Sequence, residues 1–413
     1  MVLHSQGYRF DFNPPPGGRI LTQTGGIFLK ASPRQADVYL DGKFIKKTDF
    51  FFGSILIENL LPKFYKIRVE KEGYFPWEKT LEVREKEVSE AKLVILIPRD
   101  NDFKALAKNV ENFWVSPDGK KIIFLELENQ SWALKLYDTE KDLKSRLLGE
   151  KDISSKGASL LNLEFAPNSK EVFLSAGAKE QEKNFSLKLD KTPPLLSESK
   201  TPETPPNAVT VKKTDNNDIY YLDNFGFIFK TDLNFSGGTR INRNPFPIKQ
   251  ETEYQLEVFN NFIFLKEDKS LYLFSADDDS FEKILDDVDK LKISPDEKKL
   301  GISASSEIWL FFLEDAFEQF RQKAGEKLFL VRFSQKIQDF FWLNNGYLVF
   351  NTGPSVKIIE IDNRDKANIV DLVQFPTPKI FWDDVSEKLY LLSQNSLFVL
   401  EKLIRQSYPF SIF

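Results

Sequence analysis

The chain has 413 residues, a formal net charge of −5, and 41% hydrophobic and 29% charged residues. These values place it among folded globular proteins and argue against a basic nucleic-acid surface. It contains no cysteine and a single histidine, His4. That excludes disulfides, thiolate catalysis, Cys-based zinc sites and a His-rich metal site, and leaves a Ser-His-Asp constellation only the terminal His4 to draw on.

In chain order, residues 1–24 read as an irregular lead-in, because Asn13-Pro14-Pro15-Pro16-Gly17-Gly18 blocks regular structure. They lack the charged and apolar regions of a signal peptide, and no run of about 18 or more apolar residues occurs anywhere. From 25 to 98 the pattern becomes short alternating strands: Ile27–Ala31, Asp37–Leu40, Ile55–Ile57, Tyr65–Glu70, Trp77–Val83 and Ala91–Ile97. Asp41-Gly42 is a hairpin-type turn within the series. The alternation predicts a small antiparallel β-domain with one face of each strand buried. Residues 99–110 read as a linker.

Beyond the linker, Ser116-Pro117-Asp118-Gly119-Lys120-Lys121 recurs as Ser294-Pro295-Asp296-Glu297-Lys298-Lys299, and more weakly as Ala166-Pro167-Asn168-Ser169-Lys170. Each copy lies between runs of apolar and β-branched residues, as a tight turn between two strands does. Further hairpins are predicted around Asn224-Phe225-Gly226 and Asn344-Asn345-Gly346. Seven hairpin-rich units result, at 111–139, 160–190, 219–229, 256–274, 291–313, 340–350 and 380–392. Their pitch of roughly 45 residues is that of a four-stranded propeller blade. The third and fourth units lack the Pro-Asp turn, so the count can differ by one. Residues 99–110 or Ser407-Tyr408-Pro409-Phe410 are the candidates for a strand that closes the last unit. Two segments break the pattern: a Pro-rich stretch at 191–213, read as an extended loop, and 314–326, read as a short amphipathic helical insertion.

Ser32-Pro33-Arg34-Gln35-Ala36-Asp37-Val38-Tyr39-Leu40-Asp41-Gly42-Lys43, Val69-Glu70-Lys71-Glu72-Gly73-Tyr74 and the strand ending at Val83 resemble a PEGA domain. Only the ends of that family's naming tetrapeptide are present, in Pro33-Arg34-Gln35-Ala36, and Thr48-Asp49 stands where Thr-Pro is common. The blades with Ser-Pro-Asp-Gly-Lys resemble TolB-type and prolyl-oligopeptidase-type propellers. Together the resemblances imply an all-β protein, a PEGA-like sandwich followed by a β-propeller of seven blades, of the kind found in bacterial envelopes. In such proteins a membrane helix commonly precedes a motif that stands here as Gly7-Tyr8-Arg9-Phe10-Asp11-Phe12. The resemblance therefore implies an N-terminal anchor upstream of this chain.

Catalytic, metal and cofactor residues are not assigned. Asp277-Asp278-Asp279 and Asp286-Asp287-Val288-Asp289 lack calcium-loop spacing and read as solvated turns. With 62 acidic residues, a carboxylate pair at glycosidase separation carries no signal. A prolyl-oligopeptidase-like hydrolase would need an α/β domain with a Gly-x-Ser-x-Gly elbow and its histidine, and neither is read in this sequence. Trp114, Phe165, Trp342 and Trp382 are expected to pack between blades. The residues singled out for partner binding are Phe50, Phe51, Phe52, Phe75 and Trp77, in loops of the small domain. They either cover its core, dock it on its neighbour or a membrane surface, or hold a partner. The reading is a monomeric, non-enzymatic scaffold of the cell envelope, extracytoplasmic and reaching the membrane only through the missing helix. It binds a protein or an envelope polysaccharide, uses no cofactor and takes no nucleic acid. The alternatives are a propeller enzyme acting on surface glycans and a soluble cytoplasmic scaffold.

Overall fold

The structure is a computed structural model that describes residues 7–10, 21–128, 131–154, 157–178, 181–199, 204–205, 207–214, 216–233, 235, 237–316, 321–401 and 403. His4, Asp11, Phe12 and Ser407–Phe410 lie outside them. The chain falls into two compact units. One comprises residues 1–106, 314–326 and 338–413, and the other 107–313 and 327–337.

The first unit begins with a short antiparallel pair, Tyr8–Phe10 with Leu21–Gln23, inside the expected irregular lead-in. A β-sandwich follows. Its three-stranded sheet orders Ser54–Leu60, Gly25–Ser32 and Val88–Ile95. Its four-stranded sheet orders Lys43–Lys47, Asp37–Leu40, Lys63–Glu70 and Trp77–Val83. The antiparallel expectation holds with one exception: Gly25–Ser32 and Val88–Ile95 run parallel, Gly26 opposite Val88 and Ser32 opposite Ile95. That pair closes the sandwich through the strands lying between them in sequence, an arrangement no hairpin signal encodes. Alternate residues such as Ile27, Leu29, Val38, Ile67 and Val69 are fully buried between the two sheets.

From residue 104 onward, seven four-stranded sheets follow one another among the described residues. Six are simple antiparallel meanders of consecutive strands. In the last, Lys379–Asp383, Lys388–Ser393 and Ser396–Glu401 are joined by Lys104–Lys108, which lies next to Ser396–Glu401. A strand from the start of the repeat array completes the final sheet, as β-propellers do to remove an open edge. Of the two candidates for a closing strand, residues 99–110 supply it, and Ser407–Phe410 lie outside the described residues. The fold is all-β: a sandwich followed by a β-propeller.

The two Ser-Pro-Asp turns share one hydrogen-bond scheme. Ser116 Oγ donates to Asp118 Oδ1 at 2.6 Å and accepts the Lys121 N–H at 2.9 Å. Ser294 Oγ does the same with Asp296 at 2.6 Å and Lys299 at 3.0 Å. The fourth turn residue is left-handed in every copy: Gly119 (φ 66°), Ser169 (φ 56°) and Glu297 (φ 56°). Side chains pay for that conformation and glycine does not. Glu297→Gly is therefore expected to raise stability by about 1 kcal/mol, read as a higher thermal midpoint. An unchanged or lower midpoint would show that the turn is not strained.

Two expectations for irregular segments need correction. Within the Pro-rich stretch, Leu195–Ser199 is the last strand of the second sheet and Ala208–Lys213 the first of the third. Val209 and Val211, two apart, supply the strand pattern there. In 314–326, residues 317–320 lie outside the described set, and the flanks are not helical. Ala316 and Gln322 instead form an antiparallel bridge, with N–H···O distances of 2.8 and 3.0 Å in the two directions. The one short helix among the described residues is α1, Glu150–Ile153, which the sequence pattern did not indicate.

Candidate functional site

Phe50, Phe51 and Phe52 stand at a loop between Lys43–Lys47 and Ser54–Leu60, and are 67%, 69% and 62% exposed. Two preceding residues fix the loop. Thr48 is buried, and its Oγ1 accepts the Ala36 N–H at 3.0 Å. Asp49 Oδ1 accepts the N–H groups of Phe51 and Phe52 at 2.9 and 2.7 Å. Asp49 Oδ2 accepts the Ser54 N–H and hydroxyl at 2.6 and 2.7 Å. Partial desolvation pushes the Asp49 carboxyl up, but the Ser54 hydroxyl and the N–H groups of Phe52, Ser54 and Phe51 prevail and hold it at about 2. Its stabilisation of the loop is present above the unfolded value of about 3.9 and is lost only as pH falls toward 2. The three rings touch in sequence, with centroids 5.5 and 6.5 Å apart.

The adjoining strand Lys43–Lys47 is exposed at every residue and forms one edge of the four-stranded sheet. The opposite edge, Trp77–Val83, is engaged with the sixth propeller sheet, whose strand Ser355–Glu360 leads into the turn at 361–368. Trp77 is 3% exposed and its Nε1 donates to Glu360 Oε2 at 2.6 Å. Lys79 is fully buried, bonds Glu360 Oε1, and donates to the Asp362 carbonyl at 2.6 Å. The Asn368 side chain pairs with the Glu78 backbone in both directions, at 2.9 and 3.2 Å. Arg364 joins Asp362 to the Glu90 carbonyl, and Tyr347 Oη accepts the Ile95 N–H at 3.0 Å while donating to the Leu93 carbonyl. Burial raises the Glu360 carboxyl from its ordinary value against the pull of Lys79, and burial raises the Tyr347 phenol well above its own.

The five residues singled out in the sequence therefore divide. Trp77 is corrected: it is an internal docking residue, closed to any external partner in this structure. Phe75 is half-buried on the cluster around Ile97, Leu343 and Trp382, with the Arg99 guanidinium 4.6 Å above its ring. Phe50, Phe51 and Phe52 remain accessible. Sequence reasoning missed Lys79, Glu360 and Asn368. The signal for Lys79 was there: it shares the inward face of its strand with Trp77, Leu81 and Val83, where a charge demands a partner.

The blade-start aromatics lie within or against sheet-packing cores. Phe165, Trp342 and Trp382 are buried, and Trp114 lies against a core built from the first and second sheets. In the second unit a cleft of about 370 Å³ opens over Phe246, Tyr272 and Phe281. Its buried carboxylate, Glu267, accepts from Tyr254 at 3.2 Å, Tyr272 at 3.3 Å and Lys249 at 2.8 Å. The Asp-rich turns are engaged locally: Asp279 accepts the N–H groups of Arg243 and Asn244, and Asp286 bonds Ser270 and Lys283. Among the described residues no group of three or more His, Cys, Asp or Glu is placed to hold a metal ion, and no helix is long and apolar enough to cross a membrane.

No curated protein matches the chain. Among solved structures it is similar to YCF48 from Cyanidioschyzon merolae, at 9% identity and a TM-score of 0.45, covering 72% of this chain and 98% of that one. It is also similar to the Cps50 (Swd1) β-propeller domain of Myceliophteria thermophila, at 11% identity and a TM-score of 0.42, covering 71% and 99%. A structure of YCF48 bound to D1 peptide matches at 13% identity and a TM-score of 0.42, covering 74% and 99%. Residues 24–96, the sandwich with its exposed phenylalanine loop, match the family model of the PEGA domain.

Proposed function

We propose that this chain is a non-enzymatic binding and scaffolding protein of the bacterial cell envelope. Residues 25–98 act as a PEGA-type presenting module, and the residues from 104 onward as a TolB-type propeller whose loops offer a broad binding surface. One observation carries the reading: the small domain is fastened through Trp77–Val83 and Val88–Ile95 and leaves the edge strand Lys43–Lys47 bare. The fastened edge carries a buried ion pair, Lys79 with Glu360, and the free edge leads into three exposed phenylalanines. A domain held this firmly on one side and left apolar on the other is built to present a surface.

The test is cell fractionation with mass spectrometry of the native N-terminal peptide. The expected result is recovery in the envelope fraction, with a peptide extending upstream of Met1 into an apolar segment. Recovery only in the soluble fraction would end the envelope assignment.

A further inference from the structure

Three features invite a ligand: the cleft over Phe246, the groove lined by Arg84, Arg321 and Arg364 at the margin of the docking network, and the phenylalanine loop. In the first, Glu267 already has three donors and the rings fill one another's faces. In the second, each arginine lies beside an acidic partner: Glu82 for Arg84, Glu87 for Arg321 and Asp362 for Arg364. The third is different, because its apolar atoms face outward and its neighbours are cationic.

We propose that Phe50, Phe51 and Phe52 insert into the interface of an anionic lipid bilayer, with Lys43, Lys46, Lys47 and Arg34 meeting the headgroup phosphates. The inference names the partner of the surface described above and rests on the reading of that surface as a presenting edge. Geometry supports it first. The three rings form one contiguous group that protrudes from a turn, each more than 60% exposed, with Phe44 and Ile45 adding 54% and 39% exposed apolar surface on the strand leading to it. An exposed apolar group of this kind finds a match in a bilayer interface, which takes up the apolar side of amphipathic segments.

Charge comes second. Within 43–54 the lysines at 43, 46 and 47 stand against one carboxylate, Asp49, so the segment carries 3 − 1 = +2 in a chain of net charge −5. That one carboxylate is turned inward onto four donors. Arg34 Nη1 donates to the Phe50 carbonyl at 3.4 Å, and Lys71 Nζ bonds the Arg34 carbonyl, so further cations adjoin the tip. Asp37 offsets part of this through Lys47 at 3.5 Å. Lysine-rich surroundings are depleted at protein–protein interfaces but attract anionic leaflets. Rigidity comes third: with Asp49 fixing the loop in advance, insertion orders little additional backbone.

The chain has no cysteine, so Phe51→Cys gives a single labelling site on the full-length protein. With an environment-sensitive nitrobenzoxadiazole label at that position, vesicles of phosphatidylglycerol and phosphatidylcholine are expected to raise the emission, and spin-labelled acyl chains to quench it. Pure phosphatidylcholine vesicles are expected to give little response. In flotation assays, the triple change Phe50→Ser, Phe51→Ser, Phe52→Ser should lower vesicle partitioning about 100-fold or more. Changing Lys43, Lys46 and Lys47 to Ser should abolish the preference for anionic lipid and its weakening by salt. All six positions are exposed, so the thermal midpoint should be retained and loss of folding cannot stand in for loss of binding. The proposal is overturned if the native chain ignores anionic vesicles, if the label stays unquenched, or if a photo-crosslinker at position 51 traps a protein in cells while vesicles go unbound. Envelope recovery with any of these outcomes would leave the scaffold reading standing and remove only the lipid contact.

Discussion

Replacing Lys79 with methionine is expected to destabilise the protein by about 3–5 kcal/mol, one of the two largest losses anticipated for a single substitution in this chain. Lys79 Nζ is sealed from solvent between the Glu360 carboxylate and the Asp362 carbonyl. Methionine fills the volume but leaves Glu360 buried with donors from Trp77 and Asn368 only. The cost is that of a buried charge without its counter-charge, which exceeds what the intact pair contributes over an apolar replacement. The double change Lys79→Met with Glu360→Gln removes the charge, but in either orientation the amide NH₂ faces a remaining donor, Trp77 Nε1–H on one side or the Asn368 N–H groups on the other. Only part of the loss should return, leaving the double variant about 2 kcal/mol below the native protein. The pH dependence separates this cause from simple mispacking. Glu360 is held above its ordinary value by burial, with Lys79 pulling it down. Without Lys79 it rises further. A carboxyl whose folded value lies above its unfolded value of about 4.3 stabilises the fold fully below that value, and loses the contribution as pH rises through the folded one. The Lys79→Met loss should therefore be greatest near about pH 8 and shrink toward about pH 5 in a series of thermal melts. A loss constant across that range would assign the effect to packing and not to charge.

That network also marks where sequence reading reached its limit. Turns announce themselves locally: Ser116-Pro117-Asp118-Gly119 and Ser294-Pro295-Asp296-Glu297 each encode their own hydrogen bonds, so these hairpins were legible without coordinates, while units lacking the Pro-Asp turn left the repeat count open by one. Strand edges were not. In sequence, residues 99–110 are one of two candidates for the strand that completes the last sheet, but the choice between them depends on Ser396–Glu401, nearly 300 residues away, and no local pattern carries that pairing. The parallel pairing of Gly25–Ser32 with Val88–Ile95 was hidden for the same reason. In the loops, an aromatic run says only that apolar area must go somewhere. Trp77 and Phe52 looked alike in sequence; the first meets Glu360, and the second is turned outward by Asp49. The one internal clue was chemical: Lys79 on an otherwise apolar strand face required an acid, although nothing in the sequence said which.

Gly226→Ala is expected to be the comparable disruption in the second unit, at about 2–5 kcal/mol. Gly226 closes the Asn224-Phe225-Gly226 turn at φ 91°, outside the range that side chains adopt comfortably. A Cβ there would stand 1.9 Å from the Phe246 carbonyl oxygen and 2.9 Å from the Phe246 nitrogen. Both are backbone atoms, so no rotamer change relieves the overlap. Nor is the backbone free to retreat. The Phe246 N–H donates to the Gly226 carbonyl at 2.8 Å, and the buried Asn242 amide donates to the same carbonyl at 3.0 Å while accepting the Ile228 N–H at 2.7 Å. Displacing Phe246 also shifts its ring against Tyr272 and Phe281, with centroids 5.0 and 5.1 Å away. Near-ultraviolet circular dichroism should register that shift along with the lower melting point. Gly73→Ala supplies the control: its φ is 81°, and a Cβ there meets nothing within 4 Å. It should cost only the left-handed term, about 1–2 kcal/mol, so the difference between the two variants measures the overlap with Phe246. Equal losses would mean that the turn yields and the contact is not rigid.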